Sequence, residues 1–197
     1  MQRDFTRIAR CLEELERDLY PQPPDPGHTR WAEEVLQKWM PALAGSIEGR
    51  SLLDIGCGSG FCARIVRDAG WQWHGATLGA EDVQMCHALG LPVDQADFSF
   101  LPYEDGTFDV VFARHALEHS PMPLLTLMEW CRVTKHFLIL VNPDPAVYGY
   151  EMRNHYSTMI KPQLLCILER AGWVPIMEDN TEPTEIRLLC GRKEEPA

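Results

Sequence analysis

Apolar residues fall into two spacings along this chain. Phe5, Ile8, Leu12, Leu15 and Leu19 recur at helical intervals with charged residues between them, which predicts an amphipathic helix over residues 4–19. Four prolines and a glycine within residues 21–27 then predict a stiff, extended break. Trp31, Val35, Leu36 and Trp39 restore the helical spacing and predict a second helix over 28–40. From Ser51 onward the pattern changes to short apolar runs alternating with amphipathic segments. Strands are expected at 51–55, 73–77, 93–96, 108–113, 136–142, 173–178 and 185–191, and helices at 61–69, 80–89, 123–133 and 161–171. Gly70, Gly90 and Gly172 stand where helix C-terminal caps belong. Alternation of this kind implies a mostly parallel sheet covered on both faces. The last two strands have no helix between them and should pair as a hairpin.

This organisation predicts an N-terminal helical appendage (1–45), a sheet domain (46–193) and a polar tail (194–197). The chain of 197 residues is 45% hydrophobic, enough to fill one core. Its net charge of −11 and lack of any Lys/Arg run argue against a nucleic-acid partner. No stretch approaches the ~20 apolar residues of a membrane span, and the charged N-terminus lacks a signal-peptide core. The seven cysteines form no C-x-x-C pair and read as reduced thiols of a cytoplasmic protein. The pattern leaves a homo-oligomer open.

The most informative stretch is Ser51-Leu-Leu-Asp-Ile-Gly-Cys-Gly-Ser-Gly60. A short apolar strand containing Asp54 runs into a turn with Gly56, Gly58 and Gly60, and a helix follows. Such a turn lets a ligand approach bare backbone. Its G-x-G-x-G spacing departs from the dinucleotide fingerprint G-x-G-x-x-G. It resembles motif I of the class I S-adenosylmethionine-dependent methyltransferases, and the resemblance runs from about Ser51 to Lys193. Asp97-Phe98, the run Leu101 to Val111, His115-Ala-Leu-Glu-His119, Glu129 with Arg132-Val133, and His155 with Pro162 to Trp173 follow in the family's order.

The resemblance implies a three-layer Rossmann-like α/β fold with a seven-stranded, mostly parallel sheet whose last strand is antiparallel. It implies S-adenosylmethionine as cofactor and methyl transfer to an O, N or C nucleophile of a small acceptor. The cofactor-binding residues it implies are Asp54, Gly56, Cys57, Gly58 and Gly60 in and before the turn, Thr77 and Asp82 at the ribose, Asp97 and Phe98 at the adenine, and Arg114. Thr77 occupies the slot where most members carry an acid, a variant similar to the cyclopropane-synthase-like branch. A carboxylate at Asp82 is chemically able to accept from two vicinal hydroxyls, although Glu81 and Asp82 also suit the first turn of a helix.

For proton removal the candidates are His115, at the end of the fourth strand, and, less favoured, His119 one turn on. Glu118-His119 is common in the family, which suits a structural role equally well. Two histidines four apart with Glu118 between them are a weak metal signal, so no metal is expected. The residues after the fifth strand, Asn142-Pro-Asp-Pro145 with Tyr148, Tyr150 and His155, are expected to line the acceptor pocket. Two other readings stay open here. One is a methyltransferase-fold chain that binds cofactor without turnover and works through partners, which Thr77 and the absence of the family's Gly-Gly turn before strand five would suit. The other is a nucleotide-dependent oxidoreductase, disfavoured by the glycine spacing.

Overall fold

The computed structural model describes residues 6–16, 26–149 and 154–193. Its centre is a seven-stranded sheet in the order β3-β2-β1-β4-β5-β7-β6. The strands are β1 (Ser51–Ile55), β2 (Gln72–Thr77), β3 (Val93–Gln95), β4 (Phe108–Arg114), β5 (Thr134–Pro143), β6 (Trp173–Asp179) and β7 (Glu185–Arg192). β1 to β5 pair in parallel, while β7 inserts antiparallel between β5 and β6. The fold class expected from sequence is therefore the one observed, including the reversed last strand.

Strand alternation sends successive residues to opposite faces. Leu53, Ile55, Val111, Leu138 and Leu140 pack with α5 (Pro123–Val133) and α7 (Lys161–Arg170) on one face. Leu52, Val110, Phe112, Ile139 and Val141 pack on the other face, against α2 (Pro26–Ser46), α3 (Ala63–Asp68) and Cys86 of α4 (Ala80–Ala88). α2 contributes Ala32, Val35, Leu36, Trp39, Met40 and Leu43 to this second core, all nearly inaccessible to solvent. α1 (Thr6–Glu16) precedes it.

The structure differs from the sequence expectations at several edges. α2 begins at Pro26, whose missing N–H costs nothing in a first helical turn, so the expected break at 21–27 is shortened from its C-terminal side. It also continues through Pro41 to Ser46 because Leu43 is buried, and Arg50 closes its end by donating to the carbonyls of Ala44, Ile47 and Gly49. Residues 17–25, and with them most of the proline-rich run, lie outside the described residues. α3 starts at Ala63 because the glycine turn extends to Cys62, with Gly60 at φ +79°. β5 starts at Thr134, directly from α5; Thr134 pairs with Phe108, and its hydroxyl donates back to the Trp130 carbonyl at 2.5 Å. No loop is left there for a Gly-Gly turn to make. Short helical turns not expected from the sequence occur at Leu117–His119 and at α6 (Pro145–Tyr148).

Candidate active site

Parallel strands of this kind open a crevice beyond their carboxyl ends. Here the ends of β1, β2 and β4 open into a cleft of about 660 Å3, a size suited to small organic ligands. Gly56 and Gly58 line it, with φ of +68° and +51°. A Cβ at Gly56 would stand 3.2 Å from that of Ala116, so the turn needs glycine for conformation and for clearance. Gly56 N–H is held by the carbonyl of Ala76 at 2.8 Å, which ties the turn to the end of β2.

The expected site residues divide into two groups. Thr77, Asp82, Asp97, Phe98, Arg114, His115 and His119 line the cleft with Gly56 and Gly58. Asp54, Cys57 and Gly60 lie beneath its floor. Asp54 is on the α2 face of the sheet, where its carboxylate accepts from Trp73 Nε1 at 3.0 Å. Burial raises its pKa to about 7, against the lowering effect of Trp73 and Cys62. Cys57 is fully buried, and its hydrogen bonding with Cys86, together with burial, pushes its thiol far up. A Cβ at Gly60 would meet Leu91 at 2.6 Å, a packing constraint below the cleft.

The adenine-side candidates are held by their neighbours. Asp97 accepts from Ser99 N–H at 2.7 Å, and the Phe98 carbonyl accepts from Trp130 Nε1 at 3.0 Å. Ser99, Thr126 and Ser120 form a buried hydroxyl chain at 2.7 and 2.6 Å, joining this loop to the one after β4. At the ribose-side position, Thr77 and Asp82 are both buried, and Gly79 leaves room for the Asp82 carboxylate.

β7 supplies the groups that sequence reasoning missed. Glu185 Oε1 lies 2.9 Å from His115 Nε2 and 3.0 Å from Arg114 Nη2, and Arg187 Nε donates to Glu185 Oε2 at 2.7 Å. Burial alone would raise the pKa of Glu185, but His115, Arg114 and Arg187 outweigh it and hold it near 2. Arg114 also lies 5.3 Å over the ring of Trp31 from α2. His115 carries φ +48°, rare for a residue with a side chain.

Beyond His115, Glu118 is fully buried, and burial raises its pKa to about 8. His119 and His155 face each other edge to face with ring centres 4.9 Å apart, and burial lowers the pKa of both. Asn154, His155 and Tyr156 close this end of the cleft. Tyr150 lies outside the described residues. Apart from β7, the pairing of His119 with His155 carried no sequence signal, since 35 intervening residues separate them.

An α/β sheet with a glycine-floored crevice at the carboxyl ends of its parallel strands defines a ligand-binding α/β protein of the doubly wound kind. Comparison with known proteins narrows this. Residues 53–139 match the family model described as a methyltransferase domain. The chain is 31% identical over 163 residues to the ubiquinone biosynthesis O-methyltransferase of Bordetella avium, covering 70% of this chain and 68% of that protein. It is 35% identical over 102 residues to the 2-methyl-6-phytyl-1,4-hydroquinone methyltransferase of Synechocystis, covering 49% of this chain and 32% of that one. In structure it is similar to the PH0226 protein of Pyrococcus horikoshii, with TM-score 0.71 at 17% identity, covering 91% of this chain and 99% of that one. The chain belongs to the S-adenosylmethionine-dependent methyltransferases, and it is an enzyme that moves the methyl group of that cofactor to a nucleophile. No helix among the described residues is long and apolar enough to cross a membrane.

Proposed function

We propose that this enzyme methylates a hydroxyl group of a small acceptor, with the cofactor lying across the glycine turn and the acceptor entering beside His115, Glu118, His119 and His155. The observation that carries this reading is the continuity of one cleft, from Asp97 and Thr77 at one end, over Gly56 and Gly58, to the histidines at the other. S-adenosylmethionine supplies an activated sulfonium methyl, so the protein's work is chiefly binding and alignment. In this reading Asp82 and Thr77 take the ribose hydroxyls and Asp97 accepts from the adenine amino group. Gly56 and Gly58 present bare backbone to the cofactor. The Bordetella relative's name supports oxygen as the target atom, and the Synechocystis relative's name supports a hydroquinone as the acceptor class.

His115 is the proton acceptor in this scheme. Its Nε2 contact with Glu185 fixes the ring. Leu12 and Trp31, from the N-terminal helices, line the cleft and serve as its cover, while α2 also packs the core on that face of the sheet. The free thiols of the described cysteines support a reducing, cytoplasmic location. The test is isothermal titration with S-adenosylhomocysteine, followed by methyl transfer to a panel of catechols and hydroquinones. Cofactor binding and transfer to at least one hydroxyl acceptor are expected. Methylation confined to amine or carbon acceptors would overturn the hydroxyl assignment.

A further inference from the structure

Glu118 is the least satisfied polar side chain at the site. It is inaccessible to solvent, and neither carboxylate oxygen has a hydrogen-bond partner among the described residues. A buried carboxylate without a partner is costly, so such a group in a native fold calls for a compensating cation or donor. Among the described residues the Arg114 guanidinium acts on Glu118 only through its charge, and His119 Nε2 stands 4.0 Å from Glu118 Oε1, beyond a hydrogen bond.

Two histidines stand beside it and face each other. His119 Nδ1 lies 2.9 Å from the carbonyl of Asn154. A carbonyl only accepts, so Nδ1 carries the proton and Nε2 presents a bare lone pair on the Glu118 side. A metal-binding imidazole is usually oriented in this way, through its other nitrogen. His155 stands across from His119 with the rings at 86°. One ligand atom from each of Glu118, His119 and His155 lies within 4.8 Å of the other two. Ligand atoms around a tetrahedral ion are ~3.4 Å apart, so small side-chain rotations close the set. All three residues line the cleft, which leaves coordination positions open to an acceptor.

We propose that Glu118, His119 and His155 bind one divalent transition-metal ion at the acceptor end of the cleft. Two imidazoles and one carboxylate suit zinc, cobalt, manganese or iron better than magnesium or calcium, which favour all-oxygen sets. His115 stays outside the set, held by Glu185. The third ligand is what the sequence spacing of His115, Glu118 and His119 did not reveal. The proposal extends the acceptor reading above: an acceptor hydroxyl coordinated to the ion gives its proton to His115 at lower pH, and the bonding pair stays on oxygen.

The probe is Co2+ added to chelator-stripped protein without cofactor, read by visible absorption and by calorimetry. One Co2+ per chain with a ligand-field band, displaced by Zn2+, is expected. His155→Ala and Glu118→Gln should each weaken binding at least tenfold, while His87→Ala, in α4, leaves it unchanged. If Glu118→Gln fails to fold, the half-exposed His155 carries the comparison alone. Absence of a Co2+ band, or a band unaltered by His155→Ala, would overturn the site. S-adenosylhomocysteine binding is measured on the same samples. Its loss with the Co2+ band intact contradicts the cofactor reading and not the metal site.

Discussion

His115 Nε2 and Glu185 Oε1 lie 2.9 Å apart, joining the carboxyl end of β4 to the first residue of β7. The contact explains how a residue in a left-handed backbone conformation is held in place. It also anchors a buried charge group in which Glu185 faces His115, Arg114 and Arg187. Removing one member of such a group leaves the others uncompensated.

Glu185→Gln should therefore destabilise the protein at pH 7. The Glu185 pKa falls from its ordinary 4.5 to about 2 in the fold, which corresponds to stabilisation on the order of 3 kcal/mol. A depressed acid stabilises above its unfolded pKa, so the contribution is complete above pH ~4.5 and vanishes as pH falls to ~2. Denaturant unfolding across that range should show the wild type converging on the variant. A constant gap would mean that the loss comes from packing and not from charge.

Asp54 should show the opposite sign. Its pKa rises from the ordinary 3.8 to about 7, because burial disfavours the charged form. Here the unfolded chain releases its proton first, so stability falls as pH rises from ~4 to ~7 and is level above. Asp54→Asn keeps an acceptor for Trp73 and should remove that fall, raising stability at pH 8 by up to about 4 kcal/mol. Parallel pH profiles for variant and wild type would contradict the burial argument.

Much of this fold was legible in the sequence, because Gly56 and Gly58 need positive φ and the strands around them alternate apolar residues between two cores. The cleft face of the turn and the positions of Thr77, Asp82, Asp97 and His115 follow from strand ends, which local pattern locates. What could not be read were long-range juxtapositions. Glu185 reaches His115 because β7 inserts beside β5, and no local spacing encodes that. Asp54 sits below the floor because alternation from Leu53 and Ile55 sends it to the α2 face, against Trp73. The same alternation, applied to residues 53–55 in advance, would have located it.

Asp82→Ala should weaken S-adenosylhomocysteine binding by about 1–3 kcal/mol, the usual value for a lost charged hydrogen bond. A 2′,3′-dideoxy analogue should bind the variant and the wild type nearly equally. If the variant still discriminates the analogue from the parent as the wild type does, Asp82 serves only the first turn of α4.

Gly58→Val should abolish cofactor binding while the circular dichroism spectrum is retained. The backbone there has φ +51°, and a branched side chain would project into the cleft. Calorimetry would have to show at least a hundredfold loss of affinity. Binding at wild-type strength would remove the turn from the cofactor's path.

The most direct measurement of the central claim is a crystal structure of the protein with S-adenosylhomocysteine. The amino-acid portion should lie over Gly56 and Gly58, the ribose at Thr77 and Asp82, and the adenine beside Asp97 and Phe98, with the sulfur turned toward His115. Density for the cofactor on any other face of the molecule, or in this cleft with its adenine at the His119 and His155 end, would contradict the account.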